Sequence, residues 1–406
     1  MLTWRTATVA AVAALVAGCS SATAPPADTS GAAATTAADT ATKAAPKSAR
    51  GDGDESAIDT IPWDDVGSGW TLATWTMDPY IPGNPPATGE SADTTLYLVD
   101  PSGNRYPIST FPSHGDGYGP RLVDWSGDGG RALISDVDSS TTIIVDLHTG
   151  EQTTAPFAAD DRFDPHFTLP SGEAVLLTHD NGSQPPTLER VDMNGQRELL
   201  YPTDQLGNPF NGSFLSTPDG TQLVLGLDAG SVVLMGNDGT VGRTLSVPGV
   251  NTCSPTRWWD GETGATLLVS CGSNGADQPQ LWLMPLDGGA PTALTAPTRG
   301  EGDFSAWQVP AGTFVQTASQ CSTYVLEKLN DDGTTSPVAV PGTDPGGSVF
   351  VIGVSGDDLI VRAAVSCGPG EALIDYAPAA NTSTVLLGPS VNGGSVTTAV
   401  AYPGQD

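Results

Sequence analysis

Trp125-Ser126-Gly127-Asp128-Gly129, followed by Ala132-Leu133-Ile134 and then by Val145-Asp146, reads as a strand entering a tight turn, a second apolar strand, and a third strand ending in another turn. Both turns recur. The inner one returns at Pro170-Ser171-Gly172, Pro218-Asp219-Gly220, Asp260-Gly261, Pro310-Ala311-Gly312 and Ser355-Gly356-Asp357. The outer one returns at Leu98-Val99-Asp100, Val191-Asp192, Gly236-Asn237-Asp238, Leu286-Asp287 and Asn330-Asp331-Asp332. Short apolar runs bounded by Gly, Pro, Asp and Asn are hairpin strands. A repeat of roughly 45 residues built from them cannot bury its own faces, so each unit stacks on its neighbours. The chain therefore reads as all-β, a β-propeller of four-stranded antiparallel blades.

Six complete units begin near Gly119, Asp164, Asn211, Thr252, Asp303 and Ser348. The segment before them has a second strand (Trp70 to Trp75), a third (Leu96 to Val99) and a fourth, but no innermost one. The C-terminus has an orphan strand, Val396 to Tyr402. If this orphan supplies the innermost strand of the first blade, the propeller is seven-bladed, and closure removes exposed sheet edges. The 49 glycines and 34 prolines, concentrated between the strands, suit so many turns.

The formal charge is −31, and from Ile61 to Asp406 there are 11 Lys or Arg against 40 Asp or Glu. Lys328 is the only lysine of that region. Nucleic acids and anionic lipid surfaces are bound through clustered Lys and Arg, so neither is an expected partner. The acidity suits the solubility of an exported protein, with attraction of cations as the alternative.

The N-terminus carries Arg5, an apolar run from Ala7 to Leu15, and Val16-Ala17-Gly18-Cys19. The run is too short to cross a bilayer core of about 30 Å as a helix, so residues 1–18 read as a cleaved signal peptide. Val16-Ala17-Gly18-Cys19 resembles the lipobox of bacterial lipoproteins. The resemblance implies cleavage before Cys19, lipidation of its sulfur, and an extracytoplasmic protein held on the bacterial cell membrane by acyl chains alone. Residues 19–60, rich in Ala, Thr, Ser and Pro, cannot bury enough apolar surface to order themselves and read as a disordered spacer. The propeller domain is assigned to residues 61–406.

The succession of apolar strand, Trp-Ser-Gly-Asp-Gly turn, apolar strand and Leu96-Tyr97-Leu98-Val99-Asp100 resembles the TolB-like, WD-repeat-like propellers over about 340 residues. The pattern departs from theirs at Asp260-Gly261, and at Val354-Ser355, which lacks a tryptophan. The resemblance implies the fold and leaves function open.

With Cys19 lipidated, Cys253, Cys271, Cys321 and Cys367 remain, an even number that suits disulfides in an exported protein. Cys253 and Cys271 flank one hairpin turn, while Cys321 and Cys367 end equivalent strands of adjacent units, so the expected pairs are 253–271 and 321–367. A zinc site is the rival, without CxxC spacing to support it. Trp125, Trp258 or Trp259, and Trp307 recur before inner turns, where packing between blades is expected and an aromatic stack for sugar is the alternative.

His166 and His179 flank the Ser171-Gly172 turn and are expected together at the upper end of one hairpin. Asp164 lies near them, and Arg162, His114, Asp116 and Tyr118 lie in adjacent loops. These seven residues form the candidate ligand site. A divalent metal is the one cofactor they suggest, and surface histidines in polar loops are the plain alternative. No GxSxG, P-loop, HExxH or dinucleotide fingerprint occurs, although carboxylates such as Glu301 and Asp303 leave glycoside chemistry open. The expected function is a monomeric binding or scaffold module whose upper loops take a protein, glycan or small-molecule ligand. The second expectation is a metal-assisted hydrolase or lyase centred on His166 and His179.

Overall fold

The computed structural model describes residues 47–50, 53–77, 92–113, 119–136, 139–158, 163–180, 182, 184–259, 265–272, 278–297, 302–319, 323–344, 346–363 and 370–403. After β1 (Lys47–Arg50), blade 1 receives β2 (Thr71–Thr76), β3 (Thr94–Val99) and β4 (Arg105–Phe111). Blade 2 is β5 (Arg121–Trp125), β6 (Arg131–Asp136), β7 (Thr141–Asp146) and β8 (Gln152–Ala158). Blade 3 is β9 (Phe163–Phe167), β10 (Ala174–His179), β11 (Thr187–Asp192) and β12 (Arg197–Leu200). Blade 4 is β13 (Phe210–Ser216), β14 (Gln222–Asp228), β15 (Ser231–Gly236) and β16 (Val241–Ser246). Blade 5 is β17 (Thr252–Trp258), β18 (Thr266–Gly272), β19 (Gln280–Pro285) and β20 (Thr292–Ala293). Blade 6 is β21 (Asp303–Val309), β22 (Gly312–Ala318), β23 (Tyr324–Leu329) and β24 (Thr335–Pro337). Blade 7 is β25 (Val349–Ser355), β26 (Asp358–Ala363), β27 (Ala372–Ala377) and β28 (Thr382–Leu387). The last strand, β29 (Ser395–Ala401), pairs antiparallel with β2 from Thr71↔Ala401 to Thr76↔Ser395 and completes blade 1.

The described strands form a propeller whose grouping into seven four-stranded units, the first completed by the C-terminal strand, fits the count expected from the repeat spacing. Blades 4 and 5 share one hydrogen-bonded sheet, because Leu227 and Asp228 of β14 pair with Cys253 and Thr252 of β17. The first strands of successive blades are neighbours around the ring, and His166 of β9 meets Phe214 of β13 edge to face.

Stacking blade on blade buries both faces of the second strands. Ala132, Leu133 and Ile134 of β6 are all buried, as are Leu223 to Leu225 of β14 and Leu359 to Val361 of β26. That explains why these strands read as continuous apolar runs and lack the alternation of half-exposed sheets. The outermost strands β12 and β16 are mostly exposed.

Polar groups stitch all seven seams between blades. Arg131 donates to Ser171 O (2.9 Å), Arg190 to Asn237 O (2.8 Å), Arg257 to Ala306 O (3.4 Å) and Arg362 to Thr397 O (2.9 Å). Arg243 donates to the carbonyls of Leu286 and Asp287. Gln316 joins blades 6 and 7 by accepting the Val351 N–H at 2.7 Å, and Ser109 joins blades 1 and 2 by donating to Gly150 O at 2.9 Å. Arginine suits this task because its fork stays charged and reaches a carbonyl along an apolar stem. Much of the small cationic complement of the chain is thus committed to its own backbone.

The folded body begins earlier than residue 61. Residues 53–60, grouped with the spacer on composition, pack on blade 1, and β1 adds a parallel fifth strand to β28. Composition missed this because backbone pairing, rather than a run of large apolar residues, holds the segment. Residues 1–18, read above as a signal peptide, and Cys19 lie outside the described residues.

Candidate functional site

The two ends of the ring are built differently. At one end, here the lower, lie the turns between first and second and between third and fourth strands, each two to seven residues long. Connections at the upper end reach 17 residues, between Thr76 and Thr94.

Lower turns are closed by their own aspartates. Asp192 accepts the N–H groups of Asn194 and Gln196, Asp219 that of Thr221, Asp238 that of Thr240, and Asp332 that of Thr334. These carboxyls are held below the ordinary range. The chief causes are the Gln196 N–H at Asp192, the Thr217 hydroxyl at Asp219, the Thr240 N–H at Asp238 and the Thr334 hydroxyl at Asp332. Glycine in these turns is a steric requirement: a Cβ on Gly220, at φ 67°, would lie 1.9 Å from Leu169 O of the neighbouring blade. The recurring Asp/Gly signature is therefore turn chemistry, and the lower end is largely self-satisfied.

His166 and His179 are not brought together. His166 pairs with Leu176 and His179 with Phe163, three residues further along the hairpin. Alternation in a strand sends side chains at positions 176 and 179 to opposite faces, so the two imidazoles lie on opposite faces of blade 3. The sequence placed them level because it centred the turn near Gly172, whereas the Thr168–Ala174 hydrogen bonds centre it on Ser171. His166 Nδ1 lies 3.7 Å from Asp124 Oδ2, and Asp124 also accepts the Phe167 N–H at 2.6 Å. His179 is exposed at the upper end and lines a groove of about 620 Å³ with Pro185, Pro186, Asp204, Asn208 and Pro209. Asp164 sits opposite Thr178 on β9. His114, Asp116, Tyr118 and Arg162 lie outside the described residues. Among the described residues, no three His, Cys, Asp or Glu side chains gather where they could hold a metal ion.

Asp303, considered for glycoside chemistry, is buried at the head of β21 and accepts the Thr317 hydroxyl at 2.9 Å. Burial raises its pKa, and Glu301 lies outside the described residues. Cys253 and Cys271 form a disulfide as direct cross-strand partners, with Cα atoms 4.2 Å apart. Cys321 and Cys367 lie outside the described residues. Trp125, Trp258 and Trp307 are buried, and their role is packing: Trp125 donates to Gly129 O, Trp258 donates to Ser216 O, and Arg257 lies over the Trp307 ring.

One upper-end cluster was not foreseen. Phe304 and Phe350, equivalent residues of β21 and β25, stack with centroids 6.2 Å apart, and Tyr324 meets both edge to face. Arg362 lies over Phe350, and its Nε stands 2.5 Å from Glu371 Oε2. Burial raises the pKa of Glu371, partly offset by Arg362. All five side chains are half-buried. They present flat apolar rings beside a donor–acceptor pair across blades 6 and 7, a surface able to stack on a planar or sugar ring. Phenylalanine at one position of consecutive repeats was the available signal.

No protein-family profile and no curated protein sequence matches the chain. Solved propeller structures do. TolB from Acinetobacter baumannii is 14% identical, with 88% of each chain covered and a TM-score of 0.40. The β-propeller domain of the Trilobed protease from Pyrococcus furiosus is 9% identical, covering 79% of this chain and 93% of its own, with a TM-score of 0.48. A prolyl endopeptidase is 14% identical over 81% of this chain, which spans half of that enzyme's length, with a TM-score of 0.49. The fold assignment rests on the strand pairing itself.

Proposed function

We propose that the chain is a membrane-anchored, extracytoplasmic binding or scaffold module that engages a protein, glycan or small ligand through the upper end of its propeller. The asymmetry of the two ends carries this reading: lower turns are short and satisfied by their own carboxylates, whereas the long connections are all at the upper end. The Phe304, Tyr324, Phe350, Arg362 and Glu371 cluster is the surface that best suits direct contact. The lipobox-like Val16-Ala17-Gly18-Cys19 supports anchoring through Cys19. A monomer is proposed, and the acidic charge disfavours nucleic acid as a partner. The metal-assisted alternative draws no support from His166 and His179, which face apart.

Two measurements test the proposal. Intact mass of the membrane fraction should show a chain beginning at a lipid-modified Cys19, and an unmodified Cys19 would refute anchoring. Capture from native envelopes should yield partners that are lost when Phe304 and Tyr324 are changed to Ala and kept when Asp238 in a lower turn is changed to Asn. The reverse pattern would refute the assignment of the binding end.

A further inference from the structure

Residues 47–50 lie on the outer edge of the last blade and residues 53–66 on the outside of the first. β1 pairs in parallel with β28, from Lys47↔Thr382 to Arg50↔Val385. The following segment lies along the start of β4. The Arg105 N–H donates to Asp54 O and the Ser56 N–H to Arg105 O, both at 2.9 Å, while the Arg105 guanidinium donates to Gly53 O at 3.0 Å. The Tyr97 hydroxyl donates to Glu55 at 3.2 Å. Ile58, Trp63 and Val66 then pack against the apolar core of blades 1 and 2, with the Trp63 ring 4.0 Å from that of His148.

The strap thus has two unequal halves. From residue 53 onward it is held by half-buried apolar side chains, an arginine and backbone bonds. Its β1 half rests on a four-residue parallel pairing at a sheet edge, the weaker kind of ladder. β28 is the outermost strand of its meander, and an uncovered edge there would present a row of open N–H and C=O groups. Its first residue, Thr382, follows the lower turn 378–381, so Lys47 enters the body at the lower end.

We propose that the outer edge of blade 7 is a strand-docking site, filled in cis by the chain's own residues 47–50, which enter it at the lower end. The partner this surface fits is an extended segment recognised through its backbone.

Hydrogen exchange on the full chain tests it. Ser48→Pro/Ala49→Pro removes two successive backbone donors from β1 and forbids its pairing. Exchange in 382–387 should accelerate tenfold or more, while β2 and β29 keep their protection. A second variant lacking residues 47–50 should behave in the same way. Unchanged exchange of 382–387 in both variants would overturn the proposal. Loss of protection throughout the ring in both would overturn it as well, since β1 would then support the whole fold instead of covering one edge.

Discussion

The hydroxyl of Thr398, in the closing strand, accepts the backbone N–H of Leu122 in blade 2 at 2.8 Å and lies 2.6 Å from the hydroxyl of Thr74 in β2. One side chain therefore ties the C-terminal strand both to the blade it completes and to the next blade. Thr398→Val keeps the shape and removes both bonds, leaving the Leu122 N–H without its partner. A loss of about 1–3 kcal/mol is expected, the cost of stranding a largely buried donor. Thr398→Ser should recover most of it in denaturant titrations, and equal stability of Thr398→Val and the parent would refute the role.

Deleting Ser395 to Asp406 should cost far more than its length suggests. β29 lines the full length of β2, and Tyr402 packs edge-on against Trp125 of blade 2 at 5.1 Å. Its removal exposes the edge of β2 and turns a closed ring into an array whose ends fray. A markedly lower unfolding midpoint with aggregation is expected in thermal scans monitored by light scattering. A truncated chain that melts like the parent would contradict closure by this strand.

The arginine latches should prove structural. Arg190 Nη1 donates to both Asn237 O and Asn237 Oδ1, at 2.8 and 3.0 Å, across the seam of blades 3 and 4. Arg190→Ala should cost about 1–3 kcal/mol. Arg190→Lys should recover little, because a single ammonium cannot also hold Glu198, whose Oε2 accepts from the Arg190 Nε at 2.8 Å. Full recovery by lysine would mean that charge alone matters.

What the sequence revealed and what it hid follow from how each feature is encoded. Blade count, ring closure and the 253–271 disulfide were legible from local signals: a recurring Gly/Asp-rich turn, an orphan strand at the C-terminal end and two cysteines placed about one hairpin turn. His166 and His179 were misplaced because their relation depends on register, and a small shift in the turn centre sends one side chain to the other face. The β1 strap and the arginine latches were invisible because both use backbone carbonyls far away in sequence, which leave no pattern of their own. The Phe304 and Phe350 stack was half visible, as a repeated residue whose partner lies in the adjacent blade.

The two cysteine pairs expected from their spacing can be separated by experiment. Cys253 and Cys271 are 18 residues apart, and bridging a loop of that size contributes about 3 kcal/mol in the chain-entropy account. Changing both to Ser should lower stability by about that much without altering the ring. Non-reducing peptide mapping should also recover 321–367, the pair proposed to link blades 6 and 7, and free thiols at both positions would exclude it.

Asp375 should make the fold less stable as pH rises. Its pKa is pushed up to about 6, first by burial and then by the nearby Asp358 carboxylate, and its buried Oδ1 has no hydrogen-bond partner among the described residues. The ordinary value, 3.8, applies to the unfolded chain. Between about pH 4 and 6 the native state therefore holds a proton that the unfolded state has released, so stability falls across this window and levels off above it. Asp375→Asn removes the ionisation while keeping the size. The variant should match the parent below pH 4 and exceed it above pH 6 by about 1 kcal/mol, the nominal effect being reduced by screening at a site not fully buried. Other carboxyls titrate in the same range, so the deciding quantity is the difference between variant and parent in urea titrations at each pH. A difference that is constant with pH would show that Asp375 carries no shifted ionisation, and one that grows toward acid would show that its charge is favourable in the fold.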